Sequence, residues 1–323
     1  MHARKISLLL GMTLLAACGS RTPQGGGMAT GGSQRATGSG SASAEEVARE
    51  ARGKVKCPAK IESAARAAGA PVDDVLGVRP GMSWDEAANA VMCSHELLVV
   101  KPDTSRRINL ETFGQTIRQG LSARFAEPRI EKSSQQIMRD MQNDMMARST
   151  NAVREDMKPG QAKWYVSTMG VPGGERVIAV SREEWFAEGK APPLAGVEQA
   201  LAEKYGKPNR IDRVPARTYM TWSYDPLGQP ITESSPLYHR CVGNSDPEGG
   251  TNFSPDCGVV VVAQVYSQRE NPALGRYMQV GVIDQAKGYA AITGTEQALR
   301  QLDAQRRAAE VQDAARNADA PRL

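Results

Sequence analysis

The sequence predicts an α+β fold in which two helix-plus-antiparallel-sheet units follow a disordered N-terminal tether and precede a C-terminal helix. Two observations point to this class. Helix-capping sequences and apolar residues at helical spacing mark the helices. Short apolar or alternating runs between turn residues mark strands, and short connections make neighbouring strands antiparallel. The 323 residues are enough for two ordinary domains or one large one.

The N-terminus has the composition of a secretory signal peptide. A basic start precedes an apolar run from Ile6 to Leu15, which is too short for a stable transmembrane helix. Leu15-Ala16-Ala17-Cys18 follows at once and is similar to the lipobox of bacterial lipoproteins. The resemblance implies that residues 1–17 are removed and that Cys18 carries a diacylglyceryl group and an N-acyl lipid. An ordinary signal peptide with a cysteine near its cleavage site is the alternative.

The composition argues against nucleic-acid binding and against a further membrane span. The chain has 40 Lys and Arg residues against 36 Asp and Glu residues, and this near balance gives no reason to expect nucleic acid, which requires a concentrated basic face. No later apolar run approaches the ~20 residues of a membrane span. Aromatic residues make up 5% of the chain, so aliphatic residues must build most of the core.

Residues 18–44 are predicted to be the acylated, disordered tether, because Gly, Ser, Thr, Ala and Gln without apolar periodicity cannot offset their ordering entropy.

The first α+β unit is predicted over 45–158. Its expected helices are 44–52 with a capping box at Ser43, 58–68, 84–93 with a capping box at Ser83, and 133–157. Its expected strands are 97–100 and 108–113, with one or two more between 117 and 125. The methionines at helical spacing in the last helix are expected to belong to the core.

The second unit is predicted over 159–293, and the C-terminal helix and tail over 294–323. Apolar periodicity and a terminal glycine predict a helix over 194–205. The expected strands are 164–169, 176–181, 218–224, 237–242, 258–267 and 276–284. Val259 to Val262 is apolar on both faces and is expected to be central, whereas alternation from Tyr277 to Ile283 suggests one solvated face.

Two motifs resemble a known family. Gly81-Met82-Ser83 before an acidic helix start is similar to the opening of the BamE-like (SmpA/OmlA) outer-membrane lipoproteins, small domains with two helices on an antiparallel sheet. Tyr205-Gly206-Lys207-Pro208, followed by a strand with Trp222 and Tyr224, resembles the second half of the same signature. The chain holds either two diverged copies or a common helix-to-sheet junction. Two modules in tandem would also resemble beta-lactamase inhibitory proteins, which bind another protein with a concave sheet.

Four cysteines remain once Cys18 carries lipid. A compartment outside the cytosol permits disulfides, and four cysteines allow three pairings. Local pairing, Cys57 with Cys93 and Cys241 with Cys257, is the simplest choice, although spacing alone does not fix the connectivity.

Catalytic and metal sites are not expected. His95 and His239 each lie near a cysteine, and a zinc site with Cys257 is conceivable, but structural zinc ligands come in closely spaced pairs. The acidic loop from Asn244 to Asp256 departs from the EF-hand calcium pattern. The adjacent carboxylates Asp73-Asp74 and Glu183-Glu184 are interpreted as surface groups, since neighbours in sequence usually point apart. No cofactor is expected beyond the lipid on Cys18.

These observations favour a lipid-anchored lipoprotein on the periplasmic face of the outer membrane that acts by binding. Gly19 after the cysteine, rather than aspartate, agrees with the outer-membrane sorting of such lipoproteins. The resemblance implies a scaffold role in an envelope assembly. The expected partners are an envelope protein and the membrane, to which the lipid anchors the chain. The alternatives are an envelope hydrolase, with His95 or His239 beside carboxylates in a deep pocket, and an inhibitor or peptidoglycan-binding lipoprotein.

Overall fold

The computed structural model describes residues 41–58, 66–103, 107–149 and 157–317. The signal peptide, Cys18 and most of the tether lie outside the described residues, as do the centre of the helix predicted over 58–68 and the end of the one predicted over 133–157. The described residues from 41 onward belong to one compact unit. Within the described ranges, no helix has both the length and the apolar character that a bilayer span requires.

The fold is α+β, as predicted, with one antiparallel sheet. The eight strands of the described residues are β1 (Leu98–Pro102), β2 (Gly120–Phe125), β3 (Ala162–Met169), β4 (Arg176–Trp185), β5 (Arg210–Val214), β6 (Arg217–Ser223), β7 (Val259–Ser267) and β8 (Gly275–Asp284). Their order across the sheet is β1-β2-β3-β4-β8-β7-β6-β5. The division expected between residues 158 and 159 separates β2 from β3, yet these strands pair directly, with Leu121 opposite Val166. The strands of both predicted units therefore share one sheet.

Five helices accompany the sheet in the described ranges: α1 (Ala44–Arg52), α2 (Trp84–Cys93), α3 (Ser134–Ser149), α4 (Leu194–Tyr205) and α5 (Gln285–Asn317). Both predicted capping boxes are present. The Ser83 hydroxyl accepts from the Glu86 backbone N–H at 3.3 Å, and the Glu86 carboxylate accepts from the Ser83 N–H at 2.7 Å. Ser43 and Glu46 repeat the arrangement at α1. These reciprocal bonds satisfy donors that every helix start leaves open, which is why the sequence marked both starts correctly.

Several local predictions were wrong. Residues 237–242 form turns rather than a strand, because their N–H groups find acceptors nearby, as in the 2.8 Å bond from Cys241 to the Leu237 carbonyl. Residues 108–113 are also not a strand; they end in a turn at Phe113 and Gly114, both with positive φ. The edge strand β5 was not predicted. Ala68, expected at the end of a helix, lies in a turn.

The last helix, expected within 294–323, begins earlier, at Gln285 directly after β8. The Asp284 carboxylate accepts from the Lys287 backbone N–H at 3.1 Å and satisfies one of the open donors of the first turn.

One face of the sheet carries the apolar core under α2 and α4. Residues directly opposite each other across six neighbouring strands form a buried row, namely Trp222, Val261, Val282, Val180, Val166 and Leu121. The Trp222 indole N–H donates to the Gly206 carbonyl at 2.7 Å, which connects the end of α4 to β6. β7 lies between β6 and β8, so the central position predicted for Val259 to Val262 is confirmed.

The opposite face is covered in part by the long loop, residues 224–258, which connects β6 to β7. The disulfide Cys241–Cys257 closes this loop, and Cys57–Cys93 connects the segment after α1 to the end of α2. The loop backbone at Asn244 and Ser245 lies directly on Gly281 of β8, where a Cβ atom would overlap the Asn244 carbonyl oxygen. Only glycine permits so close an approach of backbone to strand.

We expect Gly281→Ala to destabilise the fold by about 1–3 kcal/mol, because the added methyl group forces the loop off the sheet. Gly294→Ala is the matched control, since Gly294 is exposed within α5 and no atom lies within 4 Å of its built Cβ. This second change should be neutral or stabilise by up to about 1 kcal/mol. Urea unfolding of both variants measures the difference, and equal effects would contradict the packing of the loop on Gly281.

Candidate functional site

Three aromatic side chains and one arginine form a row across four strands, on the face of the sheet opposite the apolar core. Trp185 of β4 lies opposite Tyr277 of β8, Tyr277 opposite Tyr266 of β7, and Tyr266 opposite Arg217 of β6. We call these four residues the aromatic row. The Trp185 and Tyr277 ring centroids are 5.1 Å apart and those of Tyr277 and Tyr266 are 4.1 Å apart, with interplanar angles of 9° and 15°. The half-buried rings thus form one continuous stack.

Arginines lie at both ends of this stack. The Arg217 guanidinium lies 4.2 Å from the Tyr219 ring centroid and donates to the Tyr266 hydroxyl at 3.3 Å. The bond to Tyr266 raises the pKa of Arg217 above its ordinary value. At the other end, the Arg276 guanidinium lies 4.7 Å from the Trp185 ring centroid. Cations over aromatic faces are attracted by the ring quadrupole, so the two arginines restrain the terminal rings.

A buried group of charged and amide side chains supports the aromatic row from the adjoining position on the strands. The Glu183 carboxylate accepts from the Trp185 indole N–H at 2.8 Å and from the Gln279 amide at 2.7 Å, and it lies 3.5 Å from the Lys163 ammonium. Lys163, Glu183 and Gln279 are each less than 5% exposed. A buried carboxylate is expensive unless it is paired and hydrogen-bonded. Its three partners therefore fix Glu183, and Glu183 in turn fixes the Trp185 indole.

The long loop completes this group. The Glu248 carboxylate pairs with Lys163 at 3.1 Å and with Arg124 at 3.0 Å. The Ser245 hydroxyl accepts from the Gln264 amide at 2.9 Å, and Gln264 also accepts from the Tyr266 hydroxyl at 2.9 Å. We refer to Lys163, Glu183, Gln279, Gln264 and Glu248 as the polar cluster. Gln279 was expected on a solvated face, but it is 1% exposed because the loop covers it.

In the acidic loop from Asn244 to Asp256, which was considered for calcium, the side-chain oxygens accept backbone hydrogen bonds or pair with cationic side chains. The Asn244 side chain accepts from the Asp246 N–H at 3.0 Å, and the Asp246 side chain accepts from the Glu248 N–H at 3.0 Å. Glu248 belongs to the polar cluster, and Asp256 pairs with Arg240 at 2.8 Å. Across the part of the chain that the structure describes, no group of three or more His, Cys, Asp or Glu side chains is arranged to hold a metal ion.

The two histidines have separate surroundings. His95 stacks on Phe125 with ring centroids 4.4 Å apart, and its Nδ1 accepts from the Leu97 N–H at 3.1 Å. His239 contacts the Tyr238 ring within the long loop. Cys257 is in a disulfide with Cys241, so it supplies neither a nucleophilic thiol nor a thiolate ligand. None of these groups belongs to the aromatic row.

The interpretation of Asp73, Asp74 and Glu183 as surface groups was wrong. Asp73 is 7% exposed and Asp74 is 6% exposed. Asp73 pairs with Arg66 at 3.0 Å and Arg79 at 2.8 Å. Asp74 pairs with Lys204 of α4 at 3.0 Å and with Arg66. Arg66 and Arg79 lie within seven residues of the acidic pair, and this proximity was the available sequence signal.

The methionine face of α3 is not part of the core, contrary to expectation. Ile137, Met138, Met141 and Met145 are 49%, 61%, 62% and 70% exposed. α3 packs extensively on no other described element. Helical spacing identifies which residues share a face, but burial depends on whether another element covers that face.

Comparisons of the chain with protein-family models, with curated proteins and with solved structures find no match.

Acid should weaken the fold through Asp74. Burial alone raises the pKa of Asp74, but the Gly77 N–H, Lys204 and Arg66 outweigh it, so the pKa lies below its ordinary value. A carboxylate with a depressed pKa stabilises the folded state above the unfolded-state pKa, and this contribution is lost as the pH falls through the folded-state pKa. We therefore expect the unfolding free energy that depends on Asp74 to decline below about pH 4.

Urea unfolding of the parent chain and of Asp74→Asn across this range measures the effect. The variant should be less stable by roughly 2 kcal/mol near neutral pH, since hydrogen bonds to a charged group are lost. The difference should shrink in acid. A difference that stays constant with pH would show that the Asp74 charge is not the stabilising feature. Glu188→Gln, on an exposed carboxyl, is the control and should leave the pH profile unchanged.

Proposed function

We propose that this chain is a lipid-anchored lipoprotein on the periplasmic face of the outer membrane, and that it binds an envelope protein through the aromatic row. The observation that carries the proposal is the half-buried stack of Trp185, Tyr277 and Tyr266 with arginines at both ends. Trp, Tyr and Arg are the residues that most often dominate the binding energy of protein interfaces.

The rigidity of the row supports a binding role. Glu183 holds the Trp185 indole, Gln264 holds the Tyr266 hydroxyl, and neighbouring rings pack on both faces of Tyr277. Side chains that are already ordered lose little conformational entropy when a partner docks. The arginines favour a partner surface that combines apolar groups with carboxylates, because opposite charges guide association and fix orientation.

The same stacking disfavours a peptidoglycan ligand. A sugar ring that stacks on an aromatic side chain needs a free ring face, and the faces of Tyr277 are taken by Trp185 and Tyr266. The row therefore offers ring edges to a ligand. A protein partner can contact these ring edges and guanidinium groups through its side chains better than a saccharide can.

The surroundings of the histidines support binding over hydrolysis. The alternative of an envelope hydrolase expects His95 or His239 beside carboxylates in a pocket. His95 packs on Phe125 instead, and His239 packs on Tyr238. We propose, in line with the resemblance to BamE-like lipoproteins, that the chain is a scaffold component of an envelope assembly and that it is not an enzyme.

The anchor is proposed from the lipobox resemblance at Cys18. The composition of the segment after Cys18 predicts a flexible tether with a mean reach of roughly 28 Å, which would let the folded unit stand clear of the membrane while remaining attached. Two or more acyl chains hold a protein firmly, since each buried methylene contributes about 0.8 kcal/mol.

The anchor is tested with Cys18→Ser. We expect this variant to lack acylation, to keep an unprocessed mass and to leave the outer-membrane fraction. Ser20→Ala, two residues further on, should mature and fractionate as the parent does. If Cys18→Ser matures and fractionates like the parent, both the anchor and the compartment are wrong.

The docking surface is tested by photo-crosslinking in intact cells. A photoreactive phenylalanine analogue replaces Tyr277 in the row or, as a control, Tyr289, which is 42% exposed on α5. We expect a discrete protein adduct from position 277 alone. Trp185→Ala should reduce its yield about thirtyfold, because loss of a central aromatic commonly costs about 2 kcal/mol of binding.

Two results would contradict this docking surface. One is the same set of adducts from both positions. The other is a muropeptide adduct at position 277, which would establish peptidoglycan as the ligand.

A further inference from the structure

A cavity of about 310 Å³ lies on the face of the sheet opposite the aromatic row, between α4 and strands β4 and β8. Most of its lining is apolar and includes Leu76, Phe186, Val197, Leu201, Met278 and Val280. The volume falls at the lower end of the range for small-molecule sites. None of the residues of the aromatic row lines it, and neither His95 nor His239 does, so this site stands apart from the proposed docking surface.

The charged groups in the lining are all cationic. Arg182 of β4 and Lys204 of α4 both line the cavity, and no carboxylate does. The Arg182 side chain is 13% exposed and pairs with Glu184 at 2.6 Å through Nη1. Lys204 is 35% exposed and pairs with Asp74. These carboxylates hold the two cations in place without lining the cavity themselves, so the charged side chains that face the cavity are Arg182 and Lys204.

Arg182 carries a hydrogen-bond donor that the protein does not use. Its Nε is buried and has no acceptor among the described residues. Buried polar groups are normally hydrogen-bonded, and an unpaired donor of a charged side chain is expensive. Arg182 also lines the cavity, so a negative charge placed there would help to compensate its incompletely paired guanidinium group.

A strained turn lies at the same cavity. Leu76 has a φ of 45°, which is unusual for a leucine. Two backbone hydrogen bonds between Val75 and Val78, of 2.9 and 3.0 Å, hold the turn, and the Asp74 carboxylate accepts from the Gly77 N–H at 2.9 Å. Leu76 remains 46% exposed. Backbone strain of this kind concentrates at functional sites, including ligand clamps, and here it brings an apolar side chain to the cavity.

We propose that this cavity binds an amphiphile with one aliphatic chain and an anionic head group. The head group is attracted by the Arg182 guanidinium and the Lys204 ammonium, which both line the cavity. The aliphatic chain lies along the apolar side chains of α4 and of strands β4 and β8. The site does not depend on the proposed function, because it uses neither the aromatic row nor the lipid on Cys18.

The charge requirement is tested with two amphiphiles that share a ten-carbon chain. Decanoate and decyltrimethylammonium are titrated calorimetrically, below micelle formation, into the chain from residue 40 onward, which holds every described strand and both disulfides. We expect decanoate to bind with a Kd in the micromolar range and the cation to bind at least tenfold more weakly. Arg182→Met, which keeps an aliphatic stem, should weaken decanoate at least tenfold and leave the cation unchanged.

The position of the site is tested by filling the cavity. Gly196 of α4 lines it, and no atom lies within 4 Å of a Cβ built there. Gly196→Leu should abolish decanoate binding while the unfolding midpoint stays the same or rises, since leucine is a better helix former than glycine. Gly294→Leu, at an equally open position on α5, should bind decanoate like the parent.

Three results would overturn the proposal. The first is no decanoate binding by the folded parent chain. The second is equal affinity for the two amphiphiles. The third is unchanged decanoate binding by a Gly196→Leu variant that unfolds like the parent.

Discussion

The buried ion pair between Lys163 and Glu183 is the interaction on which the arrangement of this molecule depends. The two charges lie on adjacent strands in the middle of the sheet, where neither is tolerated without partners. Those partners come from β8 through Gln279 and from the long loop through Glu248. Glu183 also holds the Trp185 indole. The sheet, the loop that covers it and the aromatic row are therefore held by one connected set of bonds.

Because side chains alternate along the strands, consecutive residues belong to the cavity on one face of the sheet and to the polar cluster or aromatic row on the other. Arg182 lies at the apolar face and lines the cavity, whereas Glu183, the next residue, belongs to the polar cluster. Met278 lines the cavity, and Tyr277 belongs to the stack. A shift of register by one residue would exchange the two faces. The polar cluster opposes such a shift, because it satisfies its members only when Glu183 lies opposite both Lys163 and Gln279.

Local chemistry decided which parts of the fold could be predicted from the sequence. The capping boxes, α4 and the hairpin of β3 and β4 were predictable because residues close in sequence specify them. The burial of Glu183 was not, because its partner Gln279 lies 96 residues away in the chain. The aromatic row gave no sequence signal either, since its members come from four strands whose register is set only by the folded sheet. Residues 237–242 had the composition of a strand, but the turns inside the long loop used their backbone donors.

The strand order has a consequence for how the chain reaches this structure. β4 pairs with β8 in the centre of the sheet, with Val180 opposite Val282, so the middle of the sheet joins residues about a hundred positions apart. Until β8 has been synthesised, β4 presents an unpaired edge with the apolar run Val177–Val180 to any other extended chain nearby. Pairings of such high contact order form slowly. Completion of the sheet therefore waits for the C-terminal part of the polypeptide, and the nascent N-terminal half needs shielding from aggregation until then.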